Sequence, residues 1–291
     1  MQKTLDLAIK LHENQSLDGG YIIKGKPYQA YMDNDKWDTF IEDMKANHSD
    51  AHKEYGAGLG GETKFNGCFP PKMASYGSSS RFIYNLCKDV PNFHFEHQLP
   101  TKVGGIANLD GFIEKDDKYI FVEAKCREPY AAKNNLIENK YSKLYEYIAK
   151  SSCNLNIDTI DSGTKMDVTF SVNGKKINHF DIKQMICHLL GIAVKFLNTP
   201  TQKKIDFVYL CYNPNLISII DEKKKGSIIS TYNTMCDECN NIDFKALFDV
   251  IVTYLNVKLN VGSATQDEIS KMISNFSFEL CDQNNFINKL N

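Results

Sequence analysis

The stretch Asn108–Arg127, NLDGFIEKDDKYIFVEAKCR, holds two β-prone runs separated by a polar tetrapeptide. Ile106 to Glu114 and Tyr119 to Lys125 flank Lys115-Asp116-Asp117-Lys118, which predicts a hairpin closed by a four-residue loop. That loop sets Asp110 opposite Glu123, Phe112 opposite Phe121 and Glu114 opposite Tyr119, with Lys125 two residues beyond Glu123 on the same face. Two acids and a lysine are thus expected to converge.

Like charges opposed on paired strands cost about 0.2–1 kcal/mol, and the neighbouring Ile113, Ile120 and Val122 predict that this hairpin is buried. The pair therefore calls for a neutralising partner. Lys125 is one. A hard divalent cation held by Asp110, Glu123 and the carbonyl of Ala124 suits the oxygen-rich set better. Water on such an ion, beside an ammonium group, is what phosphodiester hydrolysis requires.

Asp110, a gap of about a dozen residues and then Glu123-Ala124-Lys125 resembles the signature of the PD-(D/E)XK nucleases. Leu109 stands where that motif has its proline. A wider similarity runs from about Glu62 to Asn213 through PPKMASYGSSSR, FEHQLP, VGGIANLDGF and VEAKCREPY; it resembles a group of bacterial type II restriction endonucleases. The resemblance implies an α/β (α+β) fold, with a restriction-endonuclease-like mixed central sheet flanked by helices. It also implies Mg²⁺-dependent cleavage of double-stranded DNA by a cytoplasmic enzyme, with Asp110 and Glu123 as metal ligands and Lys125 acting on the attacking water or the charged phosphorane. In that family the helix after the lysine strand often brings a polar side chain to the site. Gln184 is the candidate here, to position the water or Lys125 or to meet the nucleic acid. Glu62 is a candidate for the acid that some members supply from the first helix.

Upstream, Asn92–Leu99 alternates, and one register of the following turn sets Glu96 opposite Asp110 as a further ligand or water holder; a register one residue away sends it to the other face. His94 and His97 read as structural histidines. Before them, a serine after Gly77 is expected to cap a helix from about Arg81 to Lys88, where Lys72, Arg81 and free N–H groups suit a phosphate backbone. Downstream, Tyr141–Ser151 predicts a helix and the polar 131–177 region an insertion. Ile182, Ile186, Leu189, Leu190, Ala193 and Leu197 define a helix over about 178–197, with His188 one turn after Gln184. Lys204–Tyr212 predicts a buried strand beside the hairpin.

The chain divides into a helical accessory segment (1–60, with helices expected at Leu5–His12 and Trp37–Ala46), the core (61–213) and a helical carboxy-terminal annex (214–291). The annex is expected to hold helices near 242–259 and 265–276 and is the candidate contact for a homodimer. Lys223–Lys225 reads as a solvated turn. The formal charge of -2 shows no net positive character, so DNA binding would need basic groups concentrated in a cleft. Nine scattered cysteines and no recognisable signal peptide favour reduced thiols in a cytoplasmic protein, and the lone Cys236-x-x-Cys239 lacks a second pair for zinc. No apolar run nears the ~20 residues that span a bilayer. The alternatives are a repair, recombination or structure-specific nuclease of the same fold, structured RNA included, and an inactive nuclease-fold protein that only binds nucleic acid.

Overall fold

The computed structural model describes residues 21–23, 26–28, 32, 34–58, 61–65, 71–75, 78–126, 136–161, 165–213 and 222–290. The predicted helix at Leu5–His12 lies outside the described residues, as do the side chains of Lys223–Lys225.

The hairpin forms in the predicted register only as far as Gly111 with Val122. Asp110 and Glu123, expected to lie opposite each other, fall beyond the last paired step because the strands part there, and the second strand starts one residue early, at Lys118. β4 (Ile106–Glu114) and β5 (Lys118–Lys125) pair antiparallel with Phe112 against Phe121 and Glu114 against Tyr119, closed by a Lys115 N–H bond to the Lys118 carbonyl. They lie in a mixed five-stranded sheet in which β10 (Lys204–Cys211) stands between β5 and β11 (Phe276–Asp282), and β4 between β5 and β3 (Phe93–Pro100); β1 (Tyr21–Ile23) and β2 (Lys26–Tyr28) form a separate antiparallel pair. β3 is antiparallel to β4, whereas β10 runs parallel to both β5 and β11. The seven consecutive buried residues of β10 explain its unbroken apolar reading, because a parallel strand is covered on both faces.

The sheet separates two cores. One face carries α1 (Asn34–Asn47), α2 (Ser49–Ala57), α3 (Ser79–Cys87) and α9 (Gln283–Leu290), and buries Trp37, Tyr55, Phe82 and Phe286 against Ile113, Val122 and Leu210. The other carries α4 (Ser142–Ala149), α5 (Ile182–Asn198) and α7 (Phe244–Thr253), whose apolar residues pack on Phe112, Phe121 and Phe207. All six residues of the predicted α5 stripe are buried, each of the five leucine and isoleucine side chains contributing about 1.5–3 kcal/mol. α5 crosses close to β3 and β4 because position 191 is glycine: a Cβ there would lie 2.8 Å from the Leu99 Cβ and 3.0 Å from the Ala107 Cβ.

Three differences from the sequence reading have physical causes. α5 begins at Ile182, not 178, because the Glu238 carboxylate accepts the backbone N–H groups of Asn178, His179 and Phe180, and Asp181 then caps the helix. The 131–177 region contains a small antiparallel sheet, β6 (Leu136–Glu138), β7 (Leu155–Asp161), β8 (Lys165–Val172) and β9 (Lys175–Lys176), packed through Leu155, Val168 and Phe170. The carboxy-terminal part is not purely helical. After α6 (Glu222–Asn240), α7 and α8 (Gln266–Asn275) it adds β11 (Phe276–Asp282) to the main sheet, and Lys223–Lys225 falls in the first turn of α6 rather than in a turn.

Candidate active site

β3 and β4 change faces at the same level. Phe93 and Phe95 pack in the α3-side core, whereas Leu99 packs in the α5-side core and His97 stacks on Phe112 with ring centres 4.2 Å apart. On β4, Ala107 and Leu109 belong to the α5 side and Ile113 to the α3 side. Residues two apart on a strand ordinarily share a face; the switch falls at Glu96, whose φ of 52° is left-handed. The flanking pairs, Phe95 with Gly111 and His97 with Leu109, place Glu96 at the level of Asp110, the register that makes it a member of the acid cluster.

At this level β4 and β5 part. Their last paired step is Gly111 with Val122, and beyond it the Asp110 side chain takes over from the backbone: Oδ2 accepts the Ala124 N–H at 2.7 Å. Lys125 offers its carbonyl to Tyr212 on the β10 side. By strand alternation the main-chain groups of Ala124 face the other way, so its carbonyl points into the opening beside Asp110.

Glu123 and Lys125 face α5 and are almost fully buried, 1% and 6% exposed. Lys125 Nζ donates to Glu123 Oε1 at 2.5 Å and to Gln184 Oε1 at 2.8 Å. The sequence reading named Gln184; it gave His188 no role, yet its Nε2 lies 2.9 Å from Glu123 Oε2. That contact is close but misaligned, leaving Glu123 Oε2 buried without a hydrogen-bond partner among the described residues. The signal for His188 was its spacing, one helical turn from Gln184 on the face that meets β5.

On the α3 side, Glu62 is 6% exposed and accepts a hydrogen bond from Ser80 Oγ at 2.9 Å, with Lys72 Nζ at 3.3 Å. Ser78 caps α3 by accepting the Arg81 N–H, as predicted for one of these serines. Arg81 itself corrects the expectation of an exposed phosphate contact: it is 2% exposed, its side chain directed into the protein. Lys72 has the accessibility the expectation requires, with its side chain 63% exposed, but it is engaged by Glu62.

The carboxyl groups of Glu96, Asp110 and Glu123 share one neighbourhood and titrate unequally. Burial, then the charge of Glu123, pushes Asp110 well above the ordinary aspartate range. Burial, then Glu62 and Glu123, raises Glu96 to about 7. Burial also acts upward on Glu123, but Lys125 and His188 outweigh it and hold Glu123 at about 2. Burial first, and then Glu96, Asp110 and Glu62 among its neighbours, raises the Tyr55 phenol.

Among the described residues, no three His, Cys, Asp or Glu side chains group closely enough to hold a metal ion by themselves. Mg²⁺ rarely needs such a cage, since it is commonly held by one or two carboxylates together with waters and substrate phosphates. Glu123 Oε2, which makes no hydrogen bond among the described residues, the Asp110 carboxylate and the Ala124 carbonyl are hard oxygens of the type such an ion takes. The eight described cysteines are all free thiols. No helix among the described residues is long and apolar enough to cross a membrane.

No family model matches the chain, and it matches no curated protein and no solved structure.

Proposed function

We propose that this protein is a divalent-metal-dependent endodeoxyribonuclease of the PD-(D/E)XK kind, with a restriction-endonuclease-like core, that hydrolyses phosphodiester bonds in DNA. The observation that carries the reading is the convergence of Asp110, Glu123 and Lys125 at the point where β4 and β5 separate, with Glu123 Oε2 buried beside His188 and making no hydrogen bond among the described residues.

Asp110, Glu123 and the Ala124 carbonyl would hold Mg²⁺, or Mn²⁺ in its place. When bound, the ion supplies positive charge to the phosphoryl oxygens and lowers the pKa of the attacking water. Lys125 orients that water and offers its ammonium to the charge developing on phosphorus. Gln184, by accepting from Lys125 Nζ, fixes where the ammonium points, and Glu96 adds a ligand or holds a water at the opening. His188 steadies Glu123 from the α5 side.

One observation favours a second reading, an inert nucleic-acid-binding protein. Lys125 already neutralises Glu123 in a buried ion pair, so the cluster is partly balanced without a metal. Plasmid digestion with Mg²⁺ separates the two. The nuclease reading expects cutting that Asp110→Ala and Glu123→Ala each abolish while DNA binding is retained. Cutting by both variants at the wild-type rate rejects the assignment, and end-sequencing of the products distinguishes discrete cut sites from end degradation.

A further inference from the structure

A cavity of about 410 Å³ opens between α5, α4 and β6, and nothing in the hydrolytic scheme uses it. Its volume falls in the range of small-ligand sites, about 300–1,000 Å³. Tyr141 and Tyr145 line it with aromatic surface, Leu136 and Lys183 stand at its β6 side, and Gln184 forms part of its wall. Gln184 is thus shared. Its Oε1 must be the atom facing Lys125, because an ammonium group only donates. The amide nitrogen is left as a donor, with no hydrogen bond to it among the described residues.

We infer that this cavity receives the base of one unpaired nucleotide beside the scissile phosphate, so that the preferred substrate is DNA carrying an extruded or single-stranded nucleotide at the cut. The inference rests on the nuclease reading, which places the reacting phosphate at Lys125, one side chain away. A tyrosine-lined recess suits a base, since stacking on aromatic rings is the sequence-tolerant way to hold one. The Gln184 amide supplies a donor for the base edge, and Lys183 a cation for the adjoining phosphate. A base inside an intact duplex cannot enter a recess of this kind; it must leave the stack first.

The test compares two fluorescein-labelled duplexes of the same sequence, one fully paired and one with a single unpaired nucleotide, bound to the full chain in Ca²⁺ and cut in Mg²⁺. The unpaired duplex is expected to bind at least about fivefold tighter, the lower end of what stacking of one base contributes. Leu136→Trp, which fills the cavity from an exposed position, and Lys183→Glu are each expected to reduce that preference, with circular dichroism confirming the fold. Equal binding of the two duplexes by the wild type, or a preference that persists in both variants, overturns the inference. Cleavage of both duplexes without discrimination removes the nucleotide pocket and leaves the hydrolase reading standing. Selective binding lost in the variants, with no cleavage of either duplex, supports the pocket and removes the hydrolase.

Discussion

Lys125 donates from Nζ to Gln184 Oε1 at 2.8 Å, which ties the end of β5 to the first turn of α5. The bond joins residues 59 positions apart and sets the direction of a buried ammonium group whose other named partner is Glu123. Gln184→Ala is expected to lower the cleavage rate by about 10–100-fold, the usual effect of removing a group that orients a site residue, with KM for DNA little changed. Gln184→Glu, which keeps an acceptor, is expected to retain more activity than the alanine variant. Equal rates for wild type and Gln184→Ala would show that Lys125 needs no such guide.

His188 touches Glu123 from the buried face of α5. With His188→Leu the carboxylate loses that contact and keeps Lys125, and Mn²⁺ affinity is expected to fall by about tenfold or more. His188→Gln should recover part of the loss. A calorimetric titration giving unchanged affinity in both variants would make His188 a packing residue only.

Glu96 and Glu123 should give opposite pH dependences in the metal-free protein. Glu96 is raised from 4.5 to about 7, so between those values the folded state keeps a proton that the unfolded chain releases, and stability falls as pH rises through the window. Glu96→Gln is therefore expected to raise Tm at pH 8 and to leave it unchanged near pH 4. Glu123, lowered from 4.5 to about 2, contributes stability above pH 4.5 that is lost as pH falls toward 2. Thermal melts of the two glutamine variants across pH 3–8 check both signs; a Glu96→Gln variant with wild-type Tm at pH 8 would contradict the first.

Gly111 marks the last paired step before the strands part. A Cβ there would lie 2.3 Å from Phe93 Cζ and 3.0 Å from Ile83 Cδ1. Gly111→Ala is expected to cost about 1–3 kcal/mol of stability through overpacking, read from urea unfolding. An unchanged midpoint would mean that Phe93 shifts without cost.

The hairpin was legible because period-two patterning and a short polar loop fix a register locally, and β10 because a covered parallel strand reads as an apolar run. The α5 stripe was legible for the same local reason. Its true start was not, since the amides of residues 178–180 are claimed by Glu238, about 60 positions away. Glu96 was placed at the right level, but the change of face there rests on a left-handed φ at a glutamate, which no residue type announces. β8, KMDVTFSV, and β11, FSFELCD, do alternate in sequence. Each lies in a segment whose surroundings read as a polar insertion or a helical annex, and only the partners β7 and β10 make the pattern decisive. Arg81 read as a surface cation because its charge outweighed its place on the buried side of a short helix.

The central claim is that Asp110 and Glu123 hold one divalent ion, and isothermal titration of the full chain with Mn²⁺ tests it most directly. The account predicts saturable binding of one ion per chain, weakened at least about tenfold in Asp110→Asn and in Glu123→Gln. No binding by the wild type, or the same affinity in the doubly substituted chain, would contradict it.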